Sequence, residues 1–266
     1  MPLNLSPRPA FVAYLTCGDP DLATTRAAAL AAIDAGAAVI ELGVPFSDPV
    51  ADGPVIQRAS HRALERGTTL GDVLRLAREL RHDRPAAGLI VFSYFNPVLR
   101  FGLERFCKAA ARAGVDGALI TDLTVEEAGD YLRQMRSRNL ATVFLAAPTS
   151  SDARLHRIAK ASTGFVYAVS RTGVTGARRS LSGAARQLVA RLRRYTDLPI
   201  AVGFGISTPK QFRAVGRFAD AVVVGSSIVE RVERSHSPES ASRAVGGWVR
   251  SLLRTPAEFA QRRRGI

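Results

Sequence analysis

Eight short apolar runs, each followed by a stretch of helical period, recur along the 266-residue chain and constrain its fold more than any other feature. The runs are rich in β-branched residues and apolar throughout, which is typical of strands buried on both faces. They lie at residues 11–16, 38–43, 88–94, 117–121, 141–146, 164–170, 199–205 and 219–226. Strict alternation of strand and helix predicts a parallel sheet covered by helices. Eight such units favour a closed (β/α)8 TIM barrel over an open doubly wound sheet.

Residues 1–266 are predicted to form one barrel domain, because no linker or low-complexity segment interrupts the alternation. At the two ends lie a proline-rich segment, residues 1–10, and a basic tail, residues 255–266. The composition, with 47% apolar and 23% charged residues, is typical of an ordinary soluble protein. The chain shows neither a membrane-spanning run nor a signal-peptide pattern, which favours a cytoplasmic protein without membrane association.

The net charge of +14 raises binding to nucleic acid as a hypothesis. Of the 37 basic residues, however, all but Lys108, Lys160 and Lys210 are arginines scattered over predicted helices. This distribution favours solvated helix faces, and since no RNA-binding or zinc-finger motif supports the alternative, we predict no nucleic-acid partner. Cys17 and Cys107 lie far apart without a CxxC spacing and predict two reduced thiols rather than a disulfide or a metal site.

The acidic stretch ELGVPFSDPVADGP, from Glu41 to Pro54, directly follows the second predicted strand. Active sites of this barrel lie at the carboxyl ends of the strands, so a polar residue there indicates chemistry rather than packing. Burial among apolar neighbours raises the pKa of a carboxyl such as Glu41 towards the neutral range that a general acid/base needs. From this strand alone, an ion pair between Glu41 and an arginine at the barrel rim stays an equal alternative.

The loop that follows, residues 44–54, contains three prolines, which restrict its conformations as a binding site requires. Its aspartates, Asp48 and Asp52, are either functional residues or turn formers, since Asp commonly forms turns beside Pro or Gly.

Glycines on three later loops predict a phosphate site. The sixth strand is followed by SRTGVTGA, the seventh ends in GFGIS, and the eighth ends in VVVGSSIVE, where Gly225 and Ser226 begin a short helix. Glycine lets backbone N–H groups approach an anion, and a helix start adds the favourable end of its dipole. Loops after strands seven and eight commonly bind phosphate in this fold.

The stretch ELGVPFSDPVADGPVIQ, from Glu41 to Gln57, resembles the pattern of the tryptophan synthase α chain family around its second strand. Further motifs occur in the family's order, namely YLTCGDP, SYFNPV, APTS, SRTGVTGA, VGFGIS and VGSSIV. The resemblance implies a lyase that cleaves indole-3-glycerol phosphate to indole and glyceraldehyde 3-phosphate by a retro-aldol reaction. It also implies that Glu41 is the catalytic acid/base and that Asp52 contacts the indole N–H.

Further site residues carry over from the family by position. The resemblance implies roles in loop closure for Arg171 and Asp122. It implies substrate contacts at the closing loop, the phosphate end and the indole pocket for Thr175, Gly176, Phe204, Gly205, Gly225, Ser226, Tyr14, Tyr94 and Tyr167. For each of the three tyrosines, simple filling of the barrel is the alternative.

The family also implies a partner. Its α chain docks on a β chain that carries pyridoxal phosphate and receives the indole, in an αββα assembly. The interface is expected to include Pro45, Asp48, Asn96 and Pro97. We expect no cofactor and no metal in this chain, because the pyridoxal phosphate would belong to the partner. A free-standing lyase that releases indole, and a weakly catalytic regulatory subunit of a β chain, are the alternatives.

The sequence departs from the family pattern at two places. Family members usually begin with a helix that covers the amino-terminal mouth of the barrel, whereas residues 1–10 contain three prolines, so we expect an open mouth. After the fourth strand, Thr124 replaces the family's usual proline, which is expected to affect coupling between the chains more than the chemistry.

Overall fold

The computed structural model describes residues 3, 5–169, 181–203 and 205–254, apart from the side chains of residues 181 and 182. Within these residues, parallel strands close into an eight-stranded barrel in chain order, and the last strand pairs with the first. The strands are β1 (Ala10–Thr16), β2 (Ala37–Gly43), β3 (Gly88–Ser93), β4 (Gly117–Ile120), β5 (Ala141–Ala146), β6 (Val166–Val169), β7 (Ile200–Gly203) and β8 (Ala221–Val224). The predicted (β/α)8 TIM barrel is therefore confirmed.

The strands alternate with helices that cover the outside of the barrel. They are α1 (Leu22–Asp34), α2 (Pro54–Glu65), α3 (Leu70–Asp83), α4 (Phe95–Phe101), α5 (Leu103–Arg112), α6 (Gly129–Arg136), α7 (Asp152–Ala161), α8 (Leu181–Leu192), α9 (Pro209–Gly216), α10 (Ser226–Glu233) and α11 (Pro238–Leu253). Among the described helices, none has the length and apolar composition of a membrane span.

Helix α2 was not predicted from the sequence, although it begins directly after the acidic loop. Gly53 is its N-cap and Pro54 its first residue, a position where the missing N–H of proline costs nothing. The buried face of α2 consists of the small residues Ala59, Ser60 and Ala63. Val55 and Ile56, in the first turn of α2, also pack against the inner core of the barrel.

Side chains inside the barrel form a core separate from the larger layer between strands and helices. Along β2, Val39 belongs to the inner core, whereas Ile40 and Leu42 belong to the outer layer. Successive side chains of a strand point to opposite faces, so Glu41 points into the barrel. Its position is that of a core residue near the carboxyl end of the strand.

The amino-terminal segment closes the lower mouth of the barrel, so the expected open mouth is wrong. Residues 5–9 are not helical, as predicted, but the side chains of Leu3 and Leu5 are buried in the inner core. Gly88 and Gly164 leave space for Leu3, because a Cβ at either position would lie 3.0 or 3.2 Å from a Leu3 methyl carbon. Leu3 and Leu5 therefore cover the amino-terminal mouth of the barrel in place of the expected helix.

Two carboxylates just before the amino ends of strands accept hydrogen bonds that link neighbouring elements of the barrel. Asp116, before β4, accepts hydrogen bonds from the Leu89 N–H and from Arg81, each at 2.7 Å. Asp220, before β8, accepts the Ile200 N–H at 2.8 Å and pairs with Arg193. Each of these acids has hydrogen-bond partners, unlike Glu41 on β2.

Candidate active site

Glu41 is completely buried near the carboxyl end of β2, and neither carboxyl oxygen has a hydrogen-bond partner among the described residues. The alternative of an ion pair with a rim arginine is therefore not observed in the part of the chain that the structure describes. Burial without a compensating partner raises the pKa of Glu41 to about 8. At neutral pH the group is mostly protonated and able to donate a proton.

Asp52 lies at the end of the acidic loop, just before α2, and is 6% exposed. The Tyr94 hydroxyl donates a hydrogen bond of 3.1 Å to Asp52 Oδ2 and accepts one of 2.9 Å from the Ala51 N–H. Gln57 Nε2 donates to the Asp52 carbonyl oxygen at 2.9 Å. Burial raises the pKa of Asp52 to about 6, although the hydrogen bond from Tyr94 lowers it in part. Asp52 is therefore mostly ionised at neutral pH.

Tyr14 and Tyr167 belong to the inner core of the barrel. Burial raises the pKa of each phenol, and both Glu41 and Asp52 raise it further, which shows that both acids act on this region. Tyr14 pairs in register with Glu41 across β1 and β2, and its ring meets Phe92 edge-on at 5.1 Å between centroids. Buried aromatic rings inside the barrel are thus close enough to Glu41 and Asp52 for both acids to affect them.

Asp122, predicted to organise loop closure, follows β4 and accepts the Phe95 N–H at 2.7 Å. Phe95 is the first residue of α4, so Asp122 stabilises the start of this helix and favours it by its negative charge. Since α4 begins directly after Tyr94, the contact also helps to hold the tyrosine that binds Asp52. The sequence did not indicate this link, because it joins two different loops.

The predicted phosphate residues within the described part lie at two loop ends. Gly205 has a φ of +79°, a conformation that favours glycine. Gly225 is the N-cap of α10 and Ser226 its first residue, and among the described residues no side chain caps this helix start. The first N–H groups of α10 are therefore suited to an anion. Four predicted site residues lie outside the described residues: Arg171, Thr175, Gly176 and Phe204.

A sequence model of the family described as tryptophan synthase alpha chain matches residues 3–251. The tryptophan synthase alpha chain of Solibacter usitatus is 51% identical over 247 residues, which are 93% of this chain and 92% of that protein. The one from Chloroflexus aurantiacus is 45% identical over 251 residues, 94% of either chain. The chain belongs to the tryptophan synthase alpha chain family. It is accordingly an indole-3-glycerol-phosphate lyase of tryptophan biosynthesis, as the resemblance predicted.

Solved structures of the tryptophan synthase family share the fold closely. A tryptophan synthase complex from Pyrococcus furiosus includes a chain that is 36% identical with a TM-score of 0.83, covering 92% of this chain and 98% of that one. A chain in the aminoacrylate-bound tryptophan synthase from M. tuberculosis is 34% identical with a TM-score of 0.82, covering 92% and 94%.

The residues predicted to face the family's β chain lie on one loop and one helix. Asp48 and Asn96 are exposed and Pro97 is partly exposed, whereas Pro45 is buried, which argues against contact between Pro45 and a partner. Asp48 also forms a turn, since its carbonyl accepts the Val50 N–H at 2.9 Å. Both readings of Asp48 from the sequence therefore remain compatible with its position.

A cavity of about 530 Å³ lies between α6, α7 and the amino end of β5. Arg136, Arg157 and Lys160 line its rim, and Leu132 and Leu140 are among its apolar walls. None of the predicted site residues lines this cavity. Two acids of raised pKa, one near the end of β2 and one in the loop that follows it, are stronger evidence for chemistry than the volume of a groove outside the barrel.

Proposed function

We propose that Glu41 and Asp52 catalyse the retro-aldol cleavage of indole-3-glycerol phosphate to indole and glyceraldehyde 3-phosphate. The observation that supports these roles is a pair of buried carboxyl groups, with pKa values of about 8 and about 6, next to the same aromatic side chains. Environments that separate the pKa values of two acids assign one as proton donor and the other as anion.

Glu41 acts in both proton transfers. Its protonated carboxyl donates a proton to ring carbon three, which breaks the aromaticity of the five-membered ring and leaves a positive charge on the indole nitrogen. The resulting carboxylate then removes the proton of the neighbouring hydroxyl. As the aldehyde forms, the electrons of the broken carbon–carbon bond return to the ring and neutralise the nitrogen, so Glu41 ends protonated again.

Asp52 stabilises the positive charge that develops on the indole N–H between these two transfers. A fixed anion in a poorly solvated site is effective because no solvent has to reorganise around the charge. Tyr94 holds the carboxylate through its hydroxyl, and the ring of Phe46 lies beside Tyr94 at 5.1 Å between centroids. Tyr14 and Tyr167 form walls of the indole pocket.

The phosphate of the substrate binds at Gly205, Gly225 and Ser226, mainly through backbone N–H groups at the start of α10. No side chain of the described residues caps this helix start, which supports the proposal because the phosphate would accept hydrogen bonds from its first N–H groups. Closure by Arg171 and Thr175, with Gly176 and Phe204 at the phosphate, stays a prediction from the resemblance.

The pH dependence of kcat/KM tests the two carboxyl roles. Activity requires Asp52 ionised and Glu41 protonated, so we expect a bell-shaped profile with limbs near pH 6 and pH 8. Tyr94→Phe removes a hydrogen bond that favours ionised Asp52, so the acidic limb should move to higher pH. The substrate phosphate also titrates near pH 6, but its contribution is the same for every variant.

Tyr131→Phe is the matched control, because the Tyr131 hydroxyl donates to the Ala118 carbonyl in the core, at 3.0 Å. This variant should leave the acidic limb in place. An acidic limb that is unmoved in Tyr94→Phe, or moved to lower pH, would contradict the assignment of Asp52.

The indole passes to a β chain in an αββα assembly, and pyridoxal phosphate is bound by that chain. The solved relatives described as tryptophan synthase complexes support a partner. The described part of this chain also exposes two large hydrophobic side chains, Val50 at 85% and Leu99 at 52%, beside the predicted interface residues Asp48 and Asn96. Two exposed apolar side chains close in sequence to predicted interface residues favour the subunit over the free-standing lyase. A cytoplasmic location stays a prediction.

Leu99→Asp tests the docking surface. A charge that is buried on docking loses its hydration, so if Leu99 packs against the β chain we expect the dissociation constant to rise at least about tenfold. The lyase activity of the isolated chain should stay nearly unchanged. Calorimetric titration with the β chain measures the first effect, and Ala111→Asp adds the same charge at the far end of α5 as a control. Equal affinities of the parent and Leu99→Asp would exclude Leu99 from the interface.

A further inference from the structure

Four charged side chains connect the loop after β1 with α2 and α10. Arg62, in the last turn of α2, donates to both carboxylate oxygens of Asp19, at 2.7 and 2.8 Å. Its remaining terminal nitrogen donates to Glu233, at the end of α10, at 2.8 Å. Arg58, one turn earlier on α2, donates to both oxygens of Glu233, at 3.2 and 3.1 Å. We call these four residues the Arg62 network.

The geometry of the Arg62 network restricts orientation as well as distance. A planar guanidinium that binds one carboxylate through two parallel hydrogen bonds permits little rotation. The Asp19 side chain is 1% exposed, whereas those of Arg62 and Glu233 are 30% and 26% exposed. The pKa of Glu233 is lowered, first by its hydrogen bonds with Arg58, so its charge persists at neutral pH.

The Arg62 network joins α2 and α10 near their carboxyl ends. The amino end of α2 lies at the proposed indole site, and the amino end of α10 lies at the proposed phosphate site. Helix α2 starts immediately after Asp52 and Gly53, and α10 starts at Gly225 and Ser226. The helices also pack against each other. Because a short helix behaves as a rigid rod, a bond between the far ends of two helices fixes the relative placement of their first turns.

We infer that Arg62 and Glu233 are positioning residues that set the distance between the indole end and the phosphate end of the active site. The inference rests on the proposed function. Neither side chain is placed in contact with substrate; each acts through the helix that carries it. A partly exposed ion pair contributes little to stability. Stabilisation therefore explains the hydrogen bond from Arg62 to Glu233 less well than a role in placing Asp52 relative to the phosphate site.

Glu233→Gln tests the inference with three ligands. Glutamine keeps the shape of the side chain, loses its charge, and leaves the pair of Asp19 with Arg62 intact. Glycerol 3-phosphate probes the phosphate end alone and indole probes the ring end alone. Indole-3-propanol phosphate joins both ends and lacks the hydroxyl whose deprotonation the cleavage requires.

We expect Glu233→Gln to weaken binding of indole-3-propanol phosphate on the order of tenfold while changing affinity for either separate end less than about twofold, since misplacement affects only a ligand that spans both. The kcat for indole-3-glycerol phosphate should fall together with this affinity. Asp34→Asn is the matched control, because Asp34 forms a similar pair with Arg84, at 2.7 and 2.8 Å, between α1 and the end of α3.

Three results would overturn the inference: equal weakening of all three ligands, unchanged binding of the joined ligand, or the same pattern in Asp34→Asn. Failure of the proposed function is a separate outcome, in which the parent chain neither binds the joined ligand nor cleaves the substrate. Urea unfolding of both variants shows whether an effect on binding follows a general loss of stability.

Discussion

The Glu41→Gln variant is expected to lose about 10²–10⁴-fold in kcat, the usual contribution of a positioned acid/base. Glutamine keeps the size of the side chain but cannot transfer a proton to ring carbon three or accept one from the hydroxyl. Because the shape of the pocket is preserved, the affinity for indole-3-propanol phosphate should change only a few-fold. Retention of more than about a tenth of the parent kcat would remove Glu41 from the mechanism.

The same variant should be more stable than the parent. Glu41 has a pKa of about 8 in the folded protein against an ordinary value of 4.5, so between these values the folded state binds a proton that the unfolded state has lost. The free energy of unfolding of the parent therefore falls as the pH rises from 4.5 to 8. At pH 7 the difference amounts to on the order of 3 kcal/mol, and glutamine, which does not ionise, avoids this loss.

Urea unfolding at pH 4.5 and at pH 7 measures this effect. The stability advantage of Glu41→Gln should be small at pH 4.5 and large at pH 7. A combination of lost activity and gained stability cannot result from general damage to the barrel. A variant that is inactive and less stable at both pH values would instead indicate that Glu41 serves the structure.

Much of the fold was predictable because its signal is periodic. Eight apolar runs alternating with helical stretches specify a closed barrel, and the barrel in turn places Glu41 at a catalytic strand end. The structure adds that the carboxyl points inward without a partner in the described residues, which a sequence cannot show. Its neighbours Ile40 and Leu42 are apolar, yet they lie in the outer layer, so it is the burial of the inner face that raises the pKa.

Features that depend on contacts between distant residues were missed. The hydrogen bond from Tyr94 to Asp52 joins residues 42 positions apart, and Arg62 reaches Glu233 across 171 positions. Leu3 closes the barrel mouth although proline prevents a helix there, because burial of an apolar side chain does not require regular secondary structure. Each of these three contacts depends on which loops and strands are neighbours in space, and the periodicity of the sequence does not indicate those neighbours.

Asp52→Asn is expected to lower kcat by about 10²–10³-fold, comparable to removal of one preorganised group that stabilises developing charge. The amide oxygen can still accept hydrogen bonds from Tyr94 and from the indole N–H, so ground-state binding of indole-3-propanol phosphate should stay within a few-fold. Only the negative charge is lost, and it matters most when the indole nitrogen is positive. The acidic limb contributed by Asp52, whose pKa is about 6, should also disappear from the pH profile.

A split between kcat and binding therefore distinguishes the roles of Asp52. Loss of kcat with retained affinity means that the carboxylate acts mainly in the transition state. A parallel loss of kcat and affinity would show that Asp52 shapes the pocket. Its proposed role in stabilising the positive charge would then be wrong, even if Glu41 is the acid and base. Near-parental kcat would contradict the mechanism more strongly. Besides Glu41, which is needed as the proton donor, Asp52 is the carboxyl among the described residues that acts on both Tyr14 and Tyr167, so the positive nitrogen would lack an identified counter-charge.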